Sequence, residues 1–440
     1  MRDALLIAVI VAGLFAALRY PFAGMLVWAW FSLMTPHQMA YGAFGVPLNL
    51  VIAAVTIAAL LIRGEILRMQ FDAVTFWLAM VACWLFISQA ASLDPANSAL
   101  YFDRFIKTLV FAILCAKTAN TRLRINAMTW TLVLSIGFFA AKGALFTLAT
   151  FGRYRVQGVE QTILEDNNHM GIAIATILPL ILYLRGEAAR PYLRAALTLL
   201  FVASIISIVG TQSRGAFICL IVFAGFFWLR ARRKFAILAA SSAIAVAAVF
   251  LMPAQWTERM GTIAEASEDS SFMGRVDAWI INWKFALENP LTGAGLRNPY
   301  QPDLASRIDP VRAPRAKAAH SIYFEMLGGA GFVGLFFYLA ALAAAFAKTA
   351  SLHRVKDAAG ARDWRAQFGY FAQISLAVFC VGGASTSLEM WDGYLIVMAL
   401  IAGAAAMVRP GAEEIKYRNE TRRSTWRGVA RGVGRGAASD

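Results

Sequence analysis

Residues 322–346, IYFEMLGGAGFVGLFFYLAALAAAF, carry one charged side chain, Glu325, in twenty-five positions. An α-helix rises 1.5 Å per residue, so roughly 20 apolar residues cross the hydrocarbon layer of a bilayer. This run is long enough. Residues 132–151 and 235–252 read the same way. The whole chain agrees, with 59% hydrophobic and 15% charged residues against roughly 45–50% and about 25% in an average soluble domain. Such an excess needs lipid around it rather than a larger core, and it excludes a soluble globular domain.

Working outward, thirteen apolar stretches lie near 4–19, 22–35, 49–62, 74–92, 103–117, 125–150, 168–185, 191–211, 214–229, 234–252, 320–347, 368–388 and 391–408. The first two are short and meet at Arg19-Tyr20-Pro21 as a hairpin or one broken element, which predicts about twelve transmembrane helices. The fold class is all-α, polytopic, with one long loop between late spans. The short run in residues 1–20 has Arg2 and Asp3 before it and more spans after it, so it reads as an uncleaved first helix.

Charge sorts the loops. One alternating set carries seventeen Lys/Arg, among them Arg63, Lys117, Arg122, Arg185, Arg230, Lys348 and Arg365, whereas the opposite short loops carry Arg153, Arg155 and Arg214. The positive-inside rule makes the first set cytoplasmic. The long connection 253–319 is then external, and its eight Lys/Arg balance eight Asp/Glu. The predicted units are an N-terminal bundle 1–252, a periplasmic lid 253–319, C-terminal helices 320–408 and a basic cytoplasmic tail 409–440. A net charge of +15 is spread over short loops and the tail, so it orients the chain in a membrane and does not imply nucleic acid. Inside the lid, Val276, Trp279, Ile280, Trp283 and Leu287 recur at helical spacing, with Pro290 and Gly293 beyond them. This predicts an amphipathic helix whose tryptophans suit the bilayer interface.

Basic side chains on the outer face run against the topology signal and are therefore the candidates for chemistry. Arg214, in Thr-Gln-Ser-Arg-Gly, offers a planar fork for phosphate oxygens; the bland reading is an arginine snorkelling to headgroups. Arg153 and Arg155 invite the same two readings, while Arg275, opening the amphipathic helix, either points its guanidinium at an anion there or pairs with Asp277 or Glu268. Arg104 and Lys107 extend the patch or snorkel. Of four histidines, His353 falls in a cytoplasmic loop and His37 in a solvated turn. His169, with Asn168 beside it, stands where a span starts. His320 comes where the lid re-enters the membrane, as a base or as a capping residue. Cys83, Cys115, Cys219 and Cys380 are isolated in apolar stretches and read as packing residues. No ligand-spaced His/Cys/carboxylate cluster, P-loop or dinucleotide fingerprint occurs, so neither metal nor nucleotide is expected.

Together Ser213-Arg214-Gly215, Arg275 with Trp279, the turn 289–295 (NPLTGAG), His320-Ser321-Ile322-Tyr323 and the glycines from Gly328 to Gly334 resemble the bacterial O-antigen ligase and polymerase superfamily. The opening Met1-Arg2-Asp3 and the Thr35-Pro36-His37 turn look like its exosortase-associated O-glycosylation ligases. The resemblance implies transfer of a glycan from an undecaprenyl-pyrophosphate carrier to an acceptor, for a ligase a lipid A-core sugar hydroxyl, at the periplasmic face of the inner membrane. It implies His320 as general base, Arg214 and Arg275 on the pyrophosphate with Arg153 or Arg155 in support, and inversion at the anomeric carbon, without metal or nucleotide. His169, Asn168, Arg104, Lys107 and Tyr323 are further candidates. A polymerase or a protein O-oligosaccharyltransferase differs only by its acceptor. A lipid-linked glycan flippase or secondary transporter would also have a dozen helices, but its ionisable groups belong at mid-membrane depth, and here they gather at the outer ends.

Overall fold

The computed structural model describes residues 2–39, 47–65, 72–230, 234–235, 270–315, 318–356 and 363–408. The expected span at 234–252 beyond residue 235, the lid before residue 270 (with Glu268), Arg232, Arg233 and the tail 409–440 lie outside the described residues. The elements are helices: α1 Arg2–Arg19, α2 Pro21–Met34, α3 Leu48–Ile62, α4 Ala73–Ala90, α5 Pro95–Thr118, α6 Arg122–Ala149, α7 Asn167–Glu187, α8 Pro191–Gly210, α9 Arg214–Arg230, α10 Ser270–Glu288, α11 Pro302–Ile308, α12 Ile322–Leu352, α13 Trp364–Gly383 and α14 Asp392–Ala406. Among them α4, α6, α7, α8, α12 and α13 are long and apolar enough to cross a membrane, and α2, α3, α9 and α14 are shorter apolar helices. The chain is an all-α, multi-pass membrane protein.

Helix starts follow from capping chemistry. Asp72, Asp94, Thr121, Asp166 and Asp363 each accept a backbone N–H of the helix that follows, satisfying donors that have no partner inside the helix. Pro21, Pro95 and Pro191 occupy first positions, where their missing N–H costs nothing. The first two stretches form a hairpin: α1 and α2 pack on each other, and the Gly13 backbone lies against the Val27 side chain. At the centre, α7 and α14 are buried along almost their whole length, and Ser375 of α13 donates to the Thr176 carbonyl of α7 at 2.6 Å.

One irregularity shapes the end of the bundle where the candidate residues lie. Helix α12 breaks at Gly331, where φ is 73° and ψ −176°, and the break strips carbonyls of their helical partners. Buried carbonyls must find others. The turn 289–295 supplies them: Ala294 N donates to Gly328 O at 2.8 Å and Gly295 N to Gly329 O at 3.0 Å, while Phe332 N donates back to Pro290 O at 2.9 Å. From α4, Trp84 Nε1 reaches Ala330 O at 3.0 Å and Ser88 Oγ bridges Thr292 O and Gly329 O. A Cβ on Gly293, itself at φ 67°, would sit 2.6 Å from Gly331 N. Only glycines let the two backbones approach this closely.

A helix, α10, lies where the amphipathic one was expected, and its two faces divide the work. Ala278, Ile281, Asn282 and Phe285 turn inward and are buried, Ile281 and Phe285 packing with Ala294 and Ala305 in a small satellite core. The stripe read from the sequence faces outward at its end, with Trp283 46% and Leu287 57% exposed. Lid charges pair among themselves: Asp309 with Lys284 at 2.8 Å and Arg312 at 2.9 Å, and Asp277 with Arg312 at 3.4 Å and Arg315 at 3.1 Å. The hydrogen bond from Lys284, then that from Arg312, holds the Asp309 carboxyl well below the usual carboxylate range.

Candidate active site

His320 stands between the lid and α12 with φ 45°, in the left-handed region that costs a non-glycine residue about 1–3 kcal/mol. Its neighbours hold it there. Trp279 Nε1 of α10 donates to the Ala319 carbonyl at 2.7 Å, the Ala319 amide donates to the Tyr300 hydroxyl at 3.2 Å, and Ser321 begins α12. The lid and the start of α12 therefore set where the imidazole sits.

The rings of His320 and His169 lie edge to face, centroids 6.2 Å apart. His169 Nδ1 is 2.7 Å from the Ile163 carbonyl, a contact that places the proton of a neutral ring on Nδ1 and leaves Nε2 a lone pair. Neither His169 Nε2 nor His320 Nδ1 has a hydrogen-bond partner among the described residues. Burial, and after it the Arg275 guanidinium, pushes the His320 imidazole down to about 4. Near neutrality the ring is an uncharged base.

Arg214 heads α9 after a three-residue turn from α8. That turn is laced to the start of α7: Asn167 Nδ2 donates to Thr211 O at 2.8 Å, and Ser213 Oγ donates to Asn168 Oδ1 at 2.8 Å while accepting from Ala216 N. Asn168 thus joins the Arg214 turn to the helix that carries His169. Asp166 caps that helix; burial raises its pKa, but His169 and the Asn168 donors outweigh burial and hold it below the usual range.

Beside His169 opens a cavity of about 490 Å³, lined by Tyr101, Arg104, Gln157, Glu160, Asp166 and Arg297 among others. Arg297, φ 65°, is gripped by Glu389 at 3.0 Å and Glu325 at 3.5 Å and lies 5.4 Å from the ring centroids of both Tyr101 and Tyr300. Burial pulls its pKa down, but Glu325 and Glu389 outweigh burial and hold it above the ordinary arginine range. Ser387 Oγ donates to Glu325. The Glu389 carboxyl is pushed up to about 7, by burial against the pull of Arg297, and its Oε2 has no partner among the described residues.

Sequence reading missed this cluster. Arg297 counted as one of the lid's balanced charges, and Glu325 as a lone acid in an apolar run. The usable signal was an ionisable side chain inside a membrane-spanning stretch, which needs a partner. Of the other candidates, Arg104 lines the cavity, while Lys107 pairs with Asp103 on an exposed face. Tyr323 donates its hydroxyl to the Cys380 carbonyl at 2.8 Å. Arg153 and Arg155 stand exposed in the connection between α6 and α7, away from the cavity lining.

Residues 199–339 match the model of a family described as O-antigen ligase. That segment contains Arg214, Arg275, Arg297 and His320. Residues 1–189, which carry Arg104, Asn168 and His169, match a family of unknown function. No curated protein matches the chain.

Proposed function

Because this chain belongs to the O-antigen ligase and polymerase superfamily, we propose that it transfers a glycan from undecaprenyl pyrophosphate to a sugar hydroxyl of lipid A-core, at the periplasmic face of a bacterial inner membrane. His320 is the general base of this reading, and Arg214 and Arg275 bind the pyrophosphate. The observation that carries it is the place of His320, at the junction of lid and membrane helix with its ring edge to face against that of His169. An acceptor hydroxyl attacks the anomeric carbon and passes its proton to His320. The bond from that carbon to the pyrophosphate oxygen breaks, and the charge released on the leaving group falls on the guanidiniums. One displacement inverts the anomeric carbon. No metal or nucleotide enters the scheme.

Arginine suits this task because its planar fork pairs two phosphate oxygens at once and its charge does not titrate. Arg104, in the cavity lining, extends the basic patch, and Arg153 or Arg155 would meet the carrier only as it approaches. Sidedness rests on the basic loops: the set rich in Lys/Arg is cytoplasmic, which puts the tail with it and the lid outside.

The test is to incubate purified protein with an undecaprenyl-pyrophosphate glycan and lipid A-core or a second glycan. Glycosylated lipid A-core is the expected product. Lengthened carrier-linked glycan alone would make the chain a polymerase, and no transfer to any hydroxyl would remove the reading.

A further inference from the structure

We propose that the cavity beside His169 is the acceptor subsite and that it takes an uncharged, hydroxyl-rich sugar ring while turning away phosphorylated or carboxylated ones; this rests on the transferase reading above. Its volume of about 490 Å³ falls within the roughly 300–1,000 Å³ of small-molecule sites. Its wall is what selects. Glu160, Glu165 and Asp166 face the space together with Arg104 and Arg297. Arg297 already carries Glu325 and Glu389, so Arg104 stands against three acids. The His320 ring, edge to face with that of His169, feels the positive charge of Arg275. The cavity is thus anionic, in contrast to the arginines assigned to the pyrophosphate.

The wall is also built to accept hydroxyl donors. Glu160 and Gln157 are exposed where they line the cavity, whereas Glu165 accepts from Gln161 N at 2.7 Å and Asp166 from Asn168. An ionised carboxylate accepts hydrogen bonds and donates none, so it pairs with sugar O–H groups and repels a phosphate, which is likewise an acceptor. The loop that presents these groups is closed on itself, with Gly158 N donating to Glu165 O at 3.0 Å. Such pre-ordering reduces the entropy lost on binding. Tyr101 adds a ring and a hydroxyl to the same lining.

The test uses the full chain in lipid nanodiscs, with octyl glucoside and octyl glucoside 6-phosphate as probes titrated calorimetrically in the absence of carrier lipid. Wild type is expected to bind the neutral glucoside at least about tenfold more tightly than the phosphate. Glu160→Gln should weaken the neutral probe by roughly tenfold, and Glu160→Lys should close the gap between the probes. Binding of farnesyl pyrophosphate should be unchanged in both. Gln157→Leu is the second variant, expected to weaken the neutral probe should a Glu160 variant not fold. Equal or tighter binding of the 6-phosphate to wild type overturns the inference, as does an unaltered affinity for octyl glucoside in Glu160→Gln. Charge preference without any glycan transfer supports the sugar site and counts against the transferase reading alone. Transfer by a protein that binds both probes equally removes this inference and leaves that reading standing.

Discussion

At His320 a backbone in the left-handed region and a ring edge to face with that of His169 coexist, so stability and chemistry separate by substitution. His320→Ala should lower turnover by about 10²–10⁴-fold, the usual worth of a positioned base, with carrier-lipid affinity unchanged. His320→Gly should be equally inactive yet at least as stable as the Ala variant, because glycine adopts this φ without strain. Thermal unfolding beside product formation checks both, and an Ala variant keeping more than about a tenth of wild-type turnover would place the base elsewhere, with His169 next in line. The pH profile carries a second test. An imidazole held at about 4 is unprotonated from pH 5 upward, so kcat/KM should be flat between pH 5 and 8. An acid limb centred near 6.5, the ordinary histidine value, would mean that His320 does not set the rate. The same depression makes folding weaker toward acid, since the unfolded chain takes up the proton first as pH falls from about 6.5 to about 4. Arg214→Lys should be impaired almost as badly as Arg214→Ala, because an ammonium keeps the charge and loses the fork; full activity in the Lys variant would reduce Arg214 to unspecific positive charge. His320 and Arg214 were legible as sequence anomalies, being polar where an apolar or orienting residue was expected. Arg297 was not, because nothing in a single lid arginine announces that two distant carboxylates will close on it.

Among the elements, the broken helix α12 and the turn docked into it hold the site in place. Gly331 has a positive φ and lies against the Leu291 carbonyl, so Gly331→Ala meets both strain and collision. It should destabilise the protein by about 1–3 kcal/mol and release the lid. Gly225, in α9, has nothing within 4 Å of an added Cβ, and Gly225→Ala should be neutral or slightly stabilising, because alanine favours the helix by roughly 1 kcal/mol. Chemical denaturation of both variants in detergent decides it. Equal stabilities would show that the break does not need a glycine. From sequence, the glycines between Gly328 and Gly334 and the turn 289–295 were visible as two motifs. Their hydrogen bonding to each other was not, since the pairing joins segments more than thirty residues apart.

For the molecule as a whole, the proposed sidedness predicts that Ser306→Cys, on the exposed surface of α11, is labelled by a membrane-impermeant maleimide in intact spheroplasts, with Cys83 replaced to lower the background. Labelling only after lysis would reverse the topology and move the site to the other side. The arginine-based scheme predicts transfer undiminished in excess EDTA; activity lost to chelation and restored by Mg²⁺ or Mn²⁺ would assign charge stabilisation to a metal. Residue composition alone determined that this chain is a helical membrane protein. Burying apolar side chains in lipid depends on length and hydropathy, which are local properties, and the caps that start each helix are local as well. Which residues meet at the functional end was decided only by tertiary structure. His169 and His320 lie far apart in the chain, and so do Arg297 and Glu389. Helix packing, the Gly331 break and the docked turn bring them together. A buried charge reveals its role only through the partners that compensate it, and those partners come from other helices.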